Sequence, residues 1–390
     1  MQYRRFPLAD EVEVSVLGFG CMRLPTIGGE ASAIDEGAFD DMLRAAAEAG
    51  VNYLDSAYVY HKGSSEAAIG AALDRTGLRG KFLLATKSPV WAVKAQDDWN
   101  RYLDEQLARL RAGRIDFYLL HGLNRERWAR IRELRGLESL ERARAEGRIG
   151  HIGFSFHDSF SAFKEIIDGW DGWEFCQVQY NYVDRDYQAG EEGIAYAADR
   201  EIGVIVMEPL RGGALASPPP QARAALAAYE KPRMPAEWAL RFVLDRQEVV
   251  TVLSGMGSVA QIWENAAVAD AARANALTPR EREALAAARD VYKARERVRC
   301  TTCGYCKPCP SGVAIPEVFS NYNTAAMFDA LGSAGSWYRS AVAGSGRGGD
   351  ACVRCGECLP KCPQGIPIPD ALAEAHAYLT GDGASEKCRT

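Results

Sequence analysis

The chain has 390 residues, of which 47% are apolar and 25% are charged, and its formal net charge at neutral pH is −6. This composition is typical of a globular protein with a full-sized core and room for a small second domain. The negative charge and the absence of a Lys/Arg block with interleaved aromatic residues argue against nucleic-acid binding. Because the sequence has neither an apolar run of membrane-span length nor a signal-peptide pattern, we expect a cytoplasmic protein that does not bind membranes.

The first 272 residues alternate between short apolar runs and amphipathic segments. Residues 1–15 alternate around Asp10 and Glu11, which predicts a short hairpin. Amphipathic helical segments, among them one predicted over residues 130–146, separate the later runs. Eight strand-like runs follow the hairpin and begin near Leu17, Val51, Phe82, Phe117, Ile149, Phe175, Val204 and Val249. This pattern predicts an α/β fold in which residues 1–272 form a closed (β/α)8 TIM barrel.

An open doubly wound sheet is the competing architecture for these residues. Such a sheet would rarely extend to eight regular units. The glycine motif by which such sheets bind dinucleotides is also incomplete here, because Arg23 stands where the third glycine is required after Gly18 and Gly20. We therefore favour the barrel.

The remaining residues predict helices only. Residues 273–299 read as a charged linking helix, with Thr278 and Pro279 at its start. Helical periodicity returns at residues 315–340 and again from Ile368 to Leu379, whereas strand signals are absent from residues 300–390. The last ninety-odd residues therefore predict a smaller C-terminal α-helical domain.

Eight of the eleven cysteines lie in two closely spaced runs that each end in Cys-Pro. Thiolates three residues apart in a tight loop converge as a 4Fe–4S cluster requires, and in two-cluster ferredoxins the fourth cysteine ligates the other cluster. We therefore predict two 4Fe–4S clusters. The first would take Cys300, Cys303, Cys306 and Cys362, and the second Cys352, Cys355, Cys358 and Cys309. The first run departs from the common bacterial spacing, because it is one residue shorter before its last cysteine.

Zinc and disulfides are the alternative uses of these cysteines. Structural zinc usually takes two well-separated cysteine pairs, which the two compact runs do not resemble. Disulfides need an oxidising compartment, and no export signal is present.

Polar side chains stand at the predicted ends of three consecutive barrel strands. Asp55, Lys87 and His121 each follow an apolar run, and Tyr60 comes five residues after Asp55. Barrel enzymes carry their chemistry at the C-terminal ends of the strands. Any one of these residues is commonplace at such a place, but the four together indicate a catalytic site.

These four residues resemble the catalytic set of the aldo/keto reductases. The motifs Asp55-Ser-Ala-x-x-Tyr60, Lys87 and Asp116-Phe-Tyr-Leu-Leu-His121 occur in the family's order and spacing. The resemblance covers about residues 1–272. The motifs Gly150–Ser155, Gln177–Asn181, Glu208–Gly212, Gly255 and Glu264-Asn265 extend it. The cysteine-rich tail is similar to the ferredoxin-like extension of an iron–sulfur subfamily of these reductases.

The resemblance implies a role for each residue of the set. Tyr60 would be the general acid, Lys87 would lower its pKa, Asp55 would pair with Lys87, and His121 would orient the substrate oxygen. Ser155 and Gln177 would bind the carboxamide of a nicotinamide. The residues implied to contact this cofactor are Gly20, Cys21, Met22, Ser155, Gln177, Met207, Pro209, Leu210, Gly255, Gln261, Glu264 and Asn265.

Two departures from the family pattern concern the cofactor. Met207 stands where many members stack a tyrosine on the nicotinamide ring, and Phe156 stands where an asparagine is frequent. Gly255 and Gln261 replace the Lys and Arg of NADP-preferring members, and a 2′-phosphate is poorly held without such a cation. The expected cofactor is therefore NAD(P)(H), with NADP preference in doubt.

The two halves of the chain imply different electron chemistry. Nicotinamides exchange hydride, whereas a 4Fe–4S cluster passes single electrons, and no flavin motif is present. We expect an iron–sulfur oxidoreductase of aldo/keto reductase type that interconverts a small-molecule carbonyl and alcohol with a nicotinamide. Two alternatives stay open. In one, ferredoxin or another redox protein feeds electrons through the clusters to a substrate or cofactor in the barrel. In the other, the chain is a non-catalytic electron-transfer module.

Overall fold

The computed structural model describes residues 1–300, 302, 304–362 and 364–381. They form two compact units. The first comprises Met1–Gly212 and Ala236–Thr278, and the second comprises Gly213–Pro235 with the described part of Pro279–Thr390. The segment 213–235 therefore groups with the C-terminal residues, although barrel elements flank it in the sequence.

The first unit is built on a closed barrel of parallel strands. The strands are β1 Tyr3–Phe6, β2 Ala9–Ser15, β3 Leu17–Gly20, β4 Tyr53–Asp55, β5 Leu83–Ser88, β6 Ile115–Leu123, β7 Ile149–Phe156, β8 Phe175–Gln179, β9 Gly203–Met207 and β10 Val249–Ser254. Strands β3 to β10 pair in chain order, and β10 closes on β3. The eight predicted strands and the predicted (β/α)8 barrel are confirmed.

Helices cover the barrel and form most of the second unit. They are α1 Glu36–Glu48, α2 Ser65–Thr76, α3 Asp98–Leu110, α4 Arg125–Glu133, α5 Gly136–Ala145, α6 Phe160–Asp168, α7 Gly190–Ala198, α8 Pro220–Ala227, α9 Pro235–Leu244, α10 Val259–Ala271, α11 Pro279–Ala294, α12 Ile315–Met327, α13 Leu331–Trp337 and α14 Ile368–Thr380. Within the described ranges, no helix has the length and apolar character needed to cross a membrane.

The single helix predicted over residues 130–146 is wrong, because the structure has α4 and α5 there. Arg135 adopts a left-handed backbone conformation with φ 54°, which a continuous helix does not allow. The next residue, Gly136, packs against Trp99, and a Cβ at this position would lie only 2.8 Å from the indole ring. The apolar period continues across the break, so periodicity alone does not reveal it.

The N-terminal hairpin closes the N-terminal end of the barrel. Its turn lies at Pro7-Leu8, because Phe6 pairs with Ala9, and not at Asp10-Glu11 as predicted. Proline fixes the φ that the first central residue of a tight turn needs. The Phe6 ring enters the barrel, where its centre lies 5.0 Å from that of Phe117 and 5.8 Å from that of Phe175. Because the hairpin fills this end, the C-terminal end of the barrel is the one open for a functional site.

The second unit has its own apolar core, formed mainly by α12, α13 and α14. The core includes Val318, Phe319, Tyr322, Tyr338, Leu372 and Leu379. The predicted helix over residues 315–340 is interrupted after α12, where Asp329 has φ 52°. No strand occurs in the described residues after 300, and the predicted α-helical C-terminal domain is confirmed.

Candidate functional site

Three of the four predicted catalytic residues are joined by hydrogen bonds at the C-terminal end of the barrel. Asp55 ends β4, Lys87 lies in the neighbouring β5, and Tyr60 lies on the loop after β4. The ammonium of Lys87 donates to Asp55 Oδ1 at 2.6 Å, to Asp55 Oδ2 at 2.8 Å and to the Ser56 carbonyl at 2.6 Å. It also lies 3.3 Å from the Tyr60 hydroxyl. The Asp55 and Lys87 side chains are 3% and 1% exposed.

Burial and neighbouring charges shift the pKa values of Tyr60 and Lys87 in opposite directions. Burial raises the pKa of the Tyr60 phenol above its ordinary value, and the Lys87 charge offsets only part of that rise. Lys87 thus acts on the Tyr60 pKa in the direction that the resemblance implies, but burial acts more strongly in the opposite direction. Burial disfavours the Lys87 ammonium, yet Asp55 and Tyr60 outweigh it and hold the pKa of Lys87 above its ordinary value.

His121 joins this group through ring contacts. Its imidazole centre lies 6.2 Å from the Tyr60 ring centre and 5.0 Å from the Trp91 ring centre. Burial, and then the charges of Lys87 and Arg127, hold the pKa of His121 well below its ordinary value, so the imidazole is neutral. In the described structure its buried Nδ1 atom has no hydrogen-bond partner.

Ser155 and Gln177 lie side by side on adjacent strands. They are register partners of β7 and β8, and both are buried. Ser155 Oγ accepts a hydrogen bond from the Gly122 backbone N–H at 2.7 Å, so its own proton is available to an acceptor. Gln177 Oε1 has no partner among the described residues, whereas its Nε2 lies 3.6 Å from Met207 Sδ. One free donor beside one free acceptor matches the hydrogen-bonding pattern of a primary carboxamide.

The other predicted cofactor residues fall on three neighbouring strand ends. Gly20 ends β3, the register partner of Gly20 is Asp55, and the next two residues are Cys21 and Met22. Pro209 and Leu210 follow Met207 at the end of β9, and Gly255 follows β10.

Cys21, Met22 and the predicted residues of α10 differ in exposure. The Cys21 thiol is buried and lies 3.7 Å from the Phe19 carbonyl, whereas Met22 is 53% exposed. Gln261 and Glu264 are exposed on α10, and the buried Asn265 donates to Ser254 Oγ at 3.0 Å. Within the whole predicted set, the exposed members are Met22, Gly255, Gln261 and Glu264, the half-buried ones are Met207 and Leu210, and the others are buried.

Arg23 is a cation near this surface that the sequence interpretation did not assign to the cofactor. A Cβ on Gly255 would lie 3.2 Å from Arg23 Cδ, and one on Gly212 would lie 2.9 Å from Arg23 Nη2. The Arg23 guanidinium lies 3.9 Å from the Glu208 carboxylate and is 49% exposed. The sequence could have indicated this position, because Arg23 follows β3 and replaces the third glycine of the dinucleotide-binding motif.

The second unit brings cysteines of both runs to one cavity. This cavity is lined by Cys306, Cys309, Cys352, Cys355 and Cys358. Cys309 thus lies near the first three cysteines of the second run, but Cys306, which we assigned to the other cluster, lines the same cavity. The exchange of the fourth cysteines therefore stays a prediction. Cys300 and Cys362 pack against the apolar core of the same unit, and Cys303 lies outside the described residues.

The two runs also share a backbone pattern. Thr302 and Gly304 have φ of 56° and 77°, and the equivalent residues Arg354 and Gly356 have φ of 56° and 78°. Left-handed residues at such turns direct successive backbone N–H groups into an anion-binding concavity, an arrangement found at many Fe–S sites. In a cubane cluster each thiolate binds a different iron, so the sulfurs need not meet at one point. Accordingly, among the described side chains no group of three or more converges on a single-ion site.

Comparisons with known proteins agree with both parts of the structure. Residues 16–278 match the model of the aldo/keto reductase family, and residues 299–366 match that of a 4Fe-4S dicluster domain. Aldo-keto reductase AKR11C1 from Bacillus halodurans, in its holo form, superposes with a TM-score of 0.61 at 27% sequence identity. That superposition covers 74% of this chain and 96% of the reductase.

Relatives in sequence include "Uncharacterized oxidoreductase YqkF" from Bacillus subtilis, 28% identical over 75% of this chain and 99% of the relative. Another is aldo-keto reductase yakc [NADP(+)] from Schizosaccharomyces pombe, 28% identical over 52% of this chain and 60% of the relative. The family model covers more than half of the chain, and its residue range includes all eight strands of the barrel. The chain is therefore an oxidoreductase that belongs to the aldo/keto reductase family and carries a C-terminal 4Fe-4S dicluster domain.

Proposed function

We propose that this oxidoreductase interconverts a carbonyl and an alcohol with a nicotinamide cofactor, and that Tyr60 is the acid that protonates the carbonyl oxygen. The supporting observation is the hydrogen-bonded series in which Asp55 holds Lys87 and Lys87 lies 3.3 Å from the Tyr60 hydroxyl. A bound nicotinamide would supply or accept the hydride. The protein's own residues would manage the proton and the developing charge.

The proton moves from the Tyr60 phenol to the substrate oxygen in the reducing direction. As the carbonyl carbon is reduced, its oxygen gains negative charge and takes up this proton. The phenolate left behind lies beside the Lys87 ammonium, which stabilises it. Asp55 keeps Lys87 charged and fixed in position, and the neutral imidazole of His121 has an N–H to donate to the same oxygen.

The nicotinamide part of the proposal rests on Ser155 and Gln177. The hydroxyl of Ser155 would donate to the carboxamide oxygen, and Gln177 Oε1 would accept from the carboxamide NH₂. A buried acceptor without a partner is costly, and a bound carboxamide removes that cost. The fission yeast relative carries NADP(+) in its name, which also supports a nicotinamide here.

The Tyr60→Phe variant tests this proposal. We expect kcat for reduction of a reactive aldehyde by NADPH or NADH to fall about 10²- to 10⁴-fold, because only the acid is removed. Tyr58→Phe is the matched control, since the Tyr58 hydroxyl donates to Glu105 at 2.7 Å and lies outside the series. Quenching of tryptophan fluorescence would report nicotinamide binding. Full activity in Tyr60→Phe would overturn the proposed role, and failure of either nicotinamide to bind would overturn the cofactor assignment.

A second candidate function is electron delivery from ferredoxin or another redox protein through the dicluster domain. Cys355 is exposed, and so are the apolar side chains of Tyr305 (66%) and Val353 (71%) beside the cysteine runs. Exposed apolar side chains around a redox centre suit a transient protein partner. When bound, the clusters would pass single electrons.

Cluster reduction under anaerobic conditions separates the two functions. The holoprotein is mixed either with NADPH or NADH, or with reduced ferredoxin, and cluster reduction is followed by EPR and absorbance. Reduction by ferredoxin coupled to carbonyl turnover favours electron delivery. Carbonyl reduction by nicotinamide while the clusters stay oxidised favours the simple reductase.

A further inference from the structure

We infer that Arg127 selects a carbonyl substrate that carries a carboxylate, and that it binds this carboxylate beside the reacting carbonyl. The inference names the substrate class of the proposed carbonyl reductase and therefore rests on that function. Three observations support it: the position of Arg127, its lack of an acidic partner among the described residues, and the charges and the Trp91 ring around it.

The position of Arg127 is fixed next to His121. Arg127 lies in the first turn of α4, and its Nη1 donates at 2.6 Å to the carbonyl of Gly122, the residue after His121. Its guanidinium lies over the Trp91 ring, with the central carbon 5.2 Å from the ring centre. The same indole lies 5.0 Å from the His121 imidazole. Tyr60, His121, Trp91 and Arg127 therefore form a continuous row of side chains.

The charge of Arg127 is not balanced by a neighbour. Within the described ranges no carboxylate lies within ion-pair distance of it, whereas Arg125 on the same helix contacts Glu165 at 2.8 Å. The side chain is half-buried, and burial lowers the pKa of Arg127, with only Glu126 acting to restore it. A half-buried charge without a counter-ion is costly. An anionic ligand would remove that cost.

The other charged groups around the site do not neutralise Arg127. Asp55 neutralises Lys87, and His121 is neutral. The charge of Glu208 raises the pKa of Tyr60 slightly, but the Glu208 carboxylate lies 3.9 Å from the Arg23 guanidinium, on the side of the predicted cofactor residues. The uncompensated cation on the Trp91 side is therefore Arg127, at the place where the part of the substrate beyond its carbonyl would lie.

A carboxylate fits this cation better than a phosphate does. One Nη atom of Arg127 is occupied by the Gly122 carbonyl, and the planar guanidinium keeps further N–H groups along one edge. That edge matches the two oxygens of one carboxylate, whereas a phosphate presents three oxygens that need more donors. The 42% exposed Trp91 ring adds an apolar wall for the carbon skeleton.

The experiment compares 4-carboxybenzaldehyde with its methyl ester, which lacks the negative charge and carries one additional methyl group. For the wild type we expect kcat/KM for the acid to exceed that for the ester. In Arg127→Gln the ratio of acid to ester should fall about 10- to 100-fold, because a charge-assisted contact is lost. Arg127→Lys should restore part of the ratio, and Arg125→Gln, on the same helix, should keep it.

Two results would overturn the inference. One is a wild-type ratio near unity, and the other is an Arg127→Gln variant that loses acid and ester activity in equal proportion. If the wild type reduces neither aldehyde, the proposed reductase function fails, and calorimetry then decides the inference separately. Preferential binding of the acid by the wild type, lost in Arg127→Gln, upholds the carboxylate site, and equal binding of acid and ester rejects it.

Discussion

The ammonium of Lys87 lies 2.6 Å from Oδ1 and 2.8 Å from Oδ2 of Asp55, and both side chains are almost completely buried. Each charge is tolerated in the barrel only because the other is present. The two residues are 32 positions apart in the sequence, and the parallel pairing of β4 with β5 brings them together.

Removing one partner of this pair should therefore destabilise the barrel. We expect Asp55→Asn to lower the free energy of unfolding by about 3–5 kcal/mol, because Lys87 is left as an uncompensated buried charge. Urea titration of the barrel's tryptophan fluorescence measures the loss. The double variant Asp55→Asn/Lys87→Met, which buries no charge, should recover much of it. A double variant no more stable than Asp55→Asn would show that the pair itself is not the cause.

The pH profile of turnover should follow the Tyr60 phenol. Burial raises its pKa above the ordinary value of about 10, so the acid form persists through neutral pH. Carbonyl reduction, which needs the protonated phenol, should be flat around neutrality and fall only at strongly alkaline pH. Alcohol oxidation, which needs the phenolate, should rise over the same alkaline range. Steady-state kcat in both directions measures this, and a reduction rate that falls between pH 7 and 8 would contradict it.

Arg23 should contribute to cofactor affinity. Its side chain lies against Gly255, next to the N-terminus of α10, where a phosphate of the cofactor would be held. We expect Arg23→Gln to weaken binding of NADPH about 10-fold or more, since a contact to a charged group is worth roughly 1.5–3 kcal/mol. Fluorescence titration gives the dissociation constants. Arg44→Gln, an exposed arginine paired with Asp41, is the control, and equal effects of the two variants would dismiss a specific role.

The cysteine pairing can be tested by counting iron. On the predicted exchange, Cys309 binds the same cluster as Cys352, Cys355 and Cys358, with which it lines one cavity that Cys306 also reaches. Cys309→Ser and Cys355→Ser should each lose about four irons, and the double variant should lose no more than about four. Iron and labile-sulfide assays of anaerobically purified protein measure this, with Cys176→Ala, a buried barrel thiol, as control. Loss of about eight irons in the double variant would place Cys309 in its own run's cluster.

Phe6 should matter for stability and not for chemistry. Its ring fills the N-terminal end of the barrel against Phe117, Phe175 and Gly203, where a Cβ on the glycine would lie 2.2 Å from the ring. We expect Phe6→Ala to lower the free energy of unfolding by about 3–5 kcal/mol through the cavity it leaves. Leu8→Ala, at the exposed hairpin turn, should change it by at most about 0.5 kcal/mol. Similar urea midpoints for the two variants would contradict this role.

Much of this architecture could be read from the sequence, because the signals involved are local. Eight apolar runs separated by helical segments predicted the barrel, and two compact cysteine runs predicted the dicluster domain. The errors arose where local signals do not decide the backbone. The amphipathic period continues through Leu134 and Arg135, where the helix breaks, and the alternation of the first strands did not reveal the turn at Pro7-Leu8.

The sequence by itself determined which residue types follow each strand, since every strand is placed by its own apolar run and its own turn. Only the tertiary structure decided how those residues act on one another. It showed that burial outweighs Lys87 at the Tyr60 phenol, and that Arg23 reaches Gly255 from another loop. It also showed that Arg127 has no acidic partner among the described residues beside His121. Desolvation and the distances between charges depend on atoms far apart in the chain, so local sequence signals cannot give them.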